Sequence, residues 1–240
     1  MEKLLLVVPD KQALSERALE IVVERINTAL ETRGICTLAL AGGSTPKPVY
    51  EALSLLNLPW ERLHIFWGDE RYVSRDHPDS NQGMARQAWL DKIDIPPENI
   101  HPMPTDSQDA VLDAQKYETQ LRQWFNLTGS EFPTFDLILL GMGDDGHTAS
   151  LFPHTAALDV GDRSITVGDK DGQPRLTFTV PLINHARSVL FLVSGESKRP
   201  ALAQVFAEVG DARAYPSRLI HPQGELIWLL DQAAGAALSV

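Results

Sequence analysis

Residues 135–153 constrain this chain more than any other stretch. Leu137, Ile138, Leu139 and Leu140 form an unbroken apolar run, and Gly141, Gly143 and Gly146 follow at once. Such a run reads as a strand buried on both faces of a parallel sheet, since a strand with one wet face alternates instead. The glycines let the backbone turn sharply past the strand end and approach a ligand closely. In an open α/β sheet, ligands bind at that place. Asp144, Asp145 and His147 sit among the glycines, where an imidazole and a carboxylate can act as base and orienting group. A lone loop histidine is more often a surface group, but the strand, the glycines and the paired carboxylates reverse that expectation. The spacing Gly141-x-Gly143-x-x-Gly146 also matches a dinucleotide fingerprint. Two carboxylates argue against a pyrophosphate there, because phosphates seek bare N–H groups and positive potential.

Other predicted strand ends carry polar chemistry too. A first strand over residues 4–8 leads into a helix from Lys11, where Leu14, Ala18, Ile21, Val22, Ile26, Ala29 and Leu30 recur at three- and four-residue spacing. Gly34 is its expected C-cap. A second strand, residues 35–40, runs into Gly42, Gly43, Ser44, Thr45 and Pro46. That turn offers free N–H groups and two hydroxyls as a phosphate cradle, with Ser44 or Thr45 capping the next helix. It lacks the spacing of a Walker P-loop. A third strand, residues 63–67, leads to Gly68, Asp69, Glu70 and Arg71. The Arg71 fork suits a phosphate or a carboxylate.

Helices are expected over residues 81–92 and 109–125, the latter with Val111, Leu112, Tyr117, Leu121 and Trp124 inward. Residues 148–152 read as a further helical or capped segment. Residues 164–167 and 175–180 alternate like strands around a turn at 168–172, a hairpin-like excursion. Residues 189–193 form another buried strand that ends near Lys198, and residues 226–230 the last one.

The 240 residues, 43% apolar and 22% charged, belong to an ordinary globular protein. No repeat, low-complexity tract or linker divides them, so they are read as a single α/β domain over residues 1–240. The net charge of −11 argues against nucleic acid or an anionic membrane as partner. The single cysteine, Cys36, allows no intrachain disulfide and fits a reducing compartment. With no signal-like start and no membrane-length apolar run, the expected location is cytoplasmic.

Four strand ends in one parallel sheet would converge on one crevice holding a phosphate cradle, two cations and a histidine beside carboxylates. Metal-ligand spacing is lacking, and there is no Gly-x-Ser-x-Gly elbow. The residues point to metal-free, cofactor-free acid–base chemistry on a small phosphorylated molecule.

At these positions the sequence resembles the 6-phosphogluconolactonases, within the broader group that includes the glucosamine-6-phosphate deaminases. Residues 40–46, 67–72, 79–81, 135–153 and 195–198 carry the resemblance along nearly the whole chain. It implies a Rossmann-like three-layer α/β/α fold with a mostly parallel sheet, and hydrolysis of 6-phospho-glucono-1,5-lactone to 6-phosphogluconate. The deaminase branch typically carries Asn-Glu-Pro shortly after the histidine; here residues 149–153 hold no Glu, and Arg71 stands where those enzymes have Tyr. A non-catalytic sugar-phosphate-binding regulatory domain is a third reading, disfavoured by the absence of a basic DNA-binding segment. Under the lactonase reading His147 is the base, oriented by Asp145 or Asp144. The phosphate sits against Gly42, Gly43, Ser44 and Thr45, beside Asp69, with Lys198 and Arg71 as counter-charges. Arg71 could instead serve the oxyanion. The only partner implied is the small phosphorylated lactone, with no obligate protein partner.

Overall fold

In the computed structural model, which describes residues 2–236 and Leu238, the apolar runs become strands. They are β1 (Glu2–Val8), β2 (Cys36–Leu40), β3 (Leu63–Trp67), β4 (Asp69–Arg71), β5 (Leu137–Leu140), β6 (Ile165–Lys170), β7 (Gln173–Phe178), β8 (Ser188–Val193) and β9 (Glu225–Asp231). Six of them form one sheet in the order β1-β9-β8-β5-β2-β3, with every pairing parallel. The helices that place the site are α1 (Lys11–Arg33), α2 (Lys47–Leu53), α3 (Asn81–Ala88), α4 (Ala110–Trp124), α5 (Val180–Asn184) and α6 (Arg199–Phe206).

The apolar run of β5 is continuous because both of its faces are covered. Leu137 and Leu139 pack with Leu14, Ile26, Val49 and Tyr50 from α1 and α2. Ile138 and Leu140 pack with Tyr117, Leu121 and Leu202 from α4 and α6. Each such side chain, fully withdrawn from water, contributes about 1.5–3 kcal/mol of burial. The result is a three-layer α/β/α arrangement around a parallel sheet. Among the described residues no helix is long and apolar enough to cross a membrane.

Strand order also decides where a crevice opens. The chain leaves β2 for β3 on one side, and leaves β5 for β8 and β9 on the other. The neighbouring carboxyl ends of β2 and β5 therefore form a topological switch point, where the connections diverge and leave space.

The hairpin excursion is larger than expected. At Gly68 the chain passes from the main sheet to a second one of order β4-β7-β6, which is antiparallel. Gly68 N–H donates to Leu40 O at 2.9 Å, and its carbonyl accepts from Phe178 N–H at 2.8 Å, so one residue joins both sheets. Asp69 and Arg71 thus lie on a short strand rather than in a loop.

Four local expectations are corrected. The hairpin turn is only Asp171 and Gly172, both left-handed, while Gly168 lies inside β6. Residues 148–152 form a tight turn, not a helix, because Ala149 has φ +47° and Ser150 N–H donates instead to Thr177 Oγ1 at 3.1 Å. Neither Ser44 nor Thr45 caps α2, whose N-cap position is Pro46 with no side-chain hydrogen bond. Val111 and Leu112 are 57% and 44% exposed, on the outer side of the first turn of α4.

Candidate active site

The turn after β2 brings Gly42, Gly43, Ser44 and Thr45 to the lip of a cavity of about 290 Å³ at the switch point. Asp69, Arg71, His147 and Lys198 line the same cavity, so all four predicted strand ends meet there. Freed from capping, the two hydroxyls of the turn make no hydrogen bond with the described residues.

The turn after β5 is closed by its own backbone. Gly143 N–H donates to His147 O at 2.9 Å, and Gly146 N–H to Gly143 O at 3.0 Å. Gly146 has φ +78°, and a Cβ there would meet Tyr215 Cδ1 at 2.8 Å, so the position requires glycine. This fold of the loop sets His147 Nδ1 at 2.5 Å from Asp145 Oδ1, which also accepts His147 N–H at 3.1 Å. Burial would raise the Asp145 carboxyl, but the hydrogen bond and charge of His147 outweigh it and hold it at about 2. Asp145 is therefore a carboxylate at neutral pH. The imidazole ring rests against Phe152, with centroids 4.5 Å apart.

Asp144 faces the other way. Its Oδ1 pairs with Lys198 Nζ at 2.6 Å and accepts Ser197 Oγ–H at 3.1 Å. The Lys198 hydrogen bond is the main cause that lowers the Asp144 carboxyl. The two adjacent aspartates thus have separate partners.

Asp69 and Arg71 are held by a polar web that is buried around Asp69 and Glu70. Asp69, 7% exposed, accepts Ser150 Oγ–H at 2.7 Å, and its carbonyl accepts Asn81 Nδ2–H at 2.9 Å. Arg71 Nη1 donates to Asp79 O at 2.6 Å. Between them Glu70 accepts three backbone N–H groups, from Arg71 at 2.8 Å and from Asn81 and Gln82 at 2.7 Å each. Burial still pushes the Glu70 carboxyl up.

Two residues of the cavity wall received no role from the sequence. Asn81, the first residue of α3, is buried beside Gly42. Arg175 reaches the cavity from β7, directly opposite Arg71 on β4. The alternation of residues 175–180 marked a strand, but only pairing with residues 69–71 brings Arg175 to the site. Arg187, by contrast, pairs with Asp136 at 3.3 Å, away from the cavity.

A parallel sheet whose diverging strand ends gather a glycine turn, cations and a histidine backed by a carboxylate defines an α/β protein with a polar crevice at its topological switch point. The family model described as "Glucosamine-6-phosphate isomerases/6-phosphogluconolactonase" matches residues 9–228, and the chain belongs to that family. It is 66% identical over 229 residues to a protein of Synechocystis sp. named 6-phosphogluconolactonase, with 95% of each chain covered. It is 61% identical over 240 residues to the Nostoc sp. protein of the same name, covering 100% of both. The solved 6-phosphogluconolactonase from Trypanosoma cruzi superposes with a TM-score of 0.90 at 32% identity, over 100% of this chain and 99% of that one.

Proposed function

We propose that the chain hydrolyses 6-phospho-D-glucono-1,5-lactone to 6-phosphogluconate, the lactone-opening reaction of the oxidative pentose phosphate pathway. The observation that carries this reading is His147, which lines the same cavity as the turn at residues 42–45 and has Asp145 Oδ1 behind it at 2.5 Å from Nδ1. The names of the relatives at 61% and 66% identity support it.

In this reading Asp145 accepts a hydrogen bond from Nδ1–H and so leaves Nε2 of His147 as the free base. The imidazole removes a proton from water as the water oxygen bonds to the lactone carbonyl carbon. The tetrahedral oxyanion then collapses, the bond from that carbon to the ring oxygen breaks, and the imidazolium returns its proton to the leaving ring oxygen. General-base help of this kind contributes about 10²–10⁴-fold. A lactone carbonyl is already electrophilic, so a base and charge stabilisation suffice, and no metal or cofactor enters the scheme. The phosphate lies against Gly42, Gly43, Ser44 and Thr45, with Lys198 and Arg71 as counter-charges and Asp69 holding the wall beside them. The reading places the enzyme in the cytoplasm, acting on a small molecule without an obligate protein partner.

The test is acid release from freshly made 6-phosphogluconolactone, measured above the spontaneous rate, for the wild type and His147→Ala. The wild type should accelerate opening and the variant should not, while 6-phosphogluconate still binds the variant. Acceleration retained in His147→Ala would remove the base assignment. No acceleration by the wild type, together with ammonia release from glucosamine-6-phosphate, would move the chain to the deaminase branch.

A further inference from the structure

Arg175 stands out among the cations of the cavity because its guanidinium has no hydrogen-bond or ion-pair partner among the described residues. Lys198 is paired with Asp144 at 2.6 Å, and Arg71 donates to Asp79 O at 2.6 Å. The Arg175 guanidinium makes no hydrogen bond or ion pair; it lies over the Phe152 ring, 5.4 Å from the centroid. Its partner across the antiparallel ladder is Arg71.

Like charges directly opposite each other in a sheet destabilise it. Burial and then the Arg71 charge both work against the Arg175 guanidinium, yet an arginine does not discharge by losing its proton. Asp69, Asp79 and Glu70 offset part of this, but none of them pairs with Arg175: Asp69 accepts Ser150 Oγ–H, Glu70 accepts three N–H groups, and Asp79 lies 3.7 Å from His77 Nδ1. Two facing guanidiniums left in this state form a site that an incoming anion relieves. Their planar forks suit an ion with several oxygens and two charges better than a single developing oxyanion. The protein as a whole carries −11, so an anionic ligand depends on such a local excess of positive charge.

We propose that Arg175 and Arg71 together clamp the phosphate dianion, and that Arg175 makes the site selective for phosphorylated over unphosphorylated lactones. The selectivity rests on the lactonase reading; the anion clamp does not. Phe152 holds the Arg175 stem and fork in place as a cation–π platform. The same ring touches His147 at 4.5 Å, so the clamp and the reacting group share one wall.

The test compares the wild type with Arg175→Gln and with Arg175→Met, which keeps an apolar stem against Phe152. Binding of inorganic phosphate and of 6-phosphogluconate is measured by calorimetry. kcat/KM is measured on 6-phosphogluconolactone and on glucono-1,5-lactone. Loss of one charge-assisted contact to phosphate weakens binding by about 10–100-fold. The kcat/KM ratio between the two lactones should fall by a similar factor, mostly through KM, and Arg175→Lys should restore part of it. Unchanged phosphate affinity in either variant that folds overturns the clamp. An equal loss on both lactones also overturns it, because Arg175 would then act at the reacting carbonyl or on His147 through Phe152. If the wild type opens neither lactone, the lactonase reading fails while the phosphate titration still decides the clamp.

Discussion

Lys198 Nζ lies 2.6 Å from Asp144, which leaves Asp145 alone on His147. The adjacent aspartates should therefore differ in kinetic effect. Asp145→Asn removes the acceptor that fixes the imidazole and should lower kcat by about 10²-fold or more. Asp144→Asn should act chiefly on KM, because it releases Lys198 from its carboxylate. Lys198→Ala should weaken 6-phosphogluconate binding by about tenfold or more. Steady-state kinetics on the three variants, with calorimetry on the last, separate these effects. Equal loss of kcat in both Asn variants would contradict the partition.

Gly143 leaves no room for a side chain. A Cβ there would come within 2.1 Å of His147 Nδ1 and 2.6 Å of Asp145 Oδ1. Those atoms end side chains, so they can swing away, and the pair geometry is lost rather than the fold. Gly143→Ala should reduce kcat by about 10²-fold with the melting temperature almost unchanged. A fully active Gly143→Ala would show that the 2.5 Å pair is dispensable.

Glu70 joins β4 to the first turn of α3 by accepting the N–H groups of Arg71, Asn81 and Gln82. In Glu70→Gln an amide NH₂ must face one or more of these donors. The expected loss is about 2–4 kcal/mol of stability, read from the urea midpoint, together with a raised KM as Arg71 and Asn81 shift. Wild-type values for both would show that the three hydrogen bonds to Glu70 carry no weight.

His101 should make stability fall in mild acid. Burial, then the neighbouring His64, pushes its imidazole down to about 4. Its ring stacks on Phe66, with centroids 4.3 Å apart, in the wall of a separate cavity of about 920 Å³. The unfolded chain takes up this proton near pH 6.5, before the folded one does. The stabilising contribution is thus complete above about pH 6.5 and is lost as pH falls toward about 4. Melting temperatures across that window should decline, and His101→Phe should flatten part of the slope. A parallel decline in the variant would assign the acid sensitivity to other groups.

Much of the layout was legible because it depends on near neighbours in the chain. The apolar run of residues 137–140 could only be a strand covered on both faces. The repeat from Leu14 to Leu30 could only bury one side of a helix, which Gly34 N–H closes onto Leu30 O at 3.0 Å. Local pattern failed where a tertiary partner took over a polar group. Ser150 N–H went to Thr177 instead of a helix, and Pro46 displaced Ser44 and Thr45 as the N-cap.

The sequence by itself determined the alternation of strands and helices, the glycine turns at the strand ends, and the placing of Gly42, Asp69, His147 and Lys198 just past those strand ends. Burial periodicity and turn chemistry act over a few residues, so they are written in order along the chain. Only the tertiary structure decided that Asp144 serves Lys198 while Asp145 serves His147, and that Arg175 faces Arg71. Coulomb attraction and hydrogen bonding act between groups that are close in space. Which charges come close is set by the strand order and by the β4–β7 register, and no local stretch of sequence contains either.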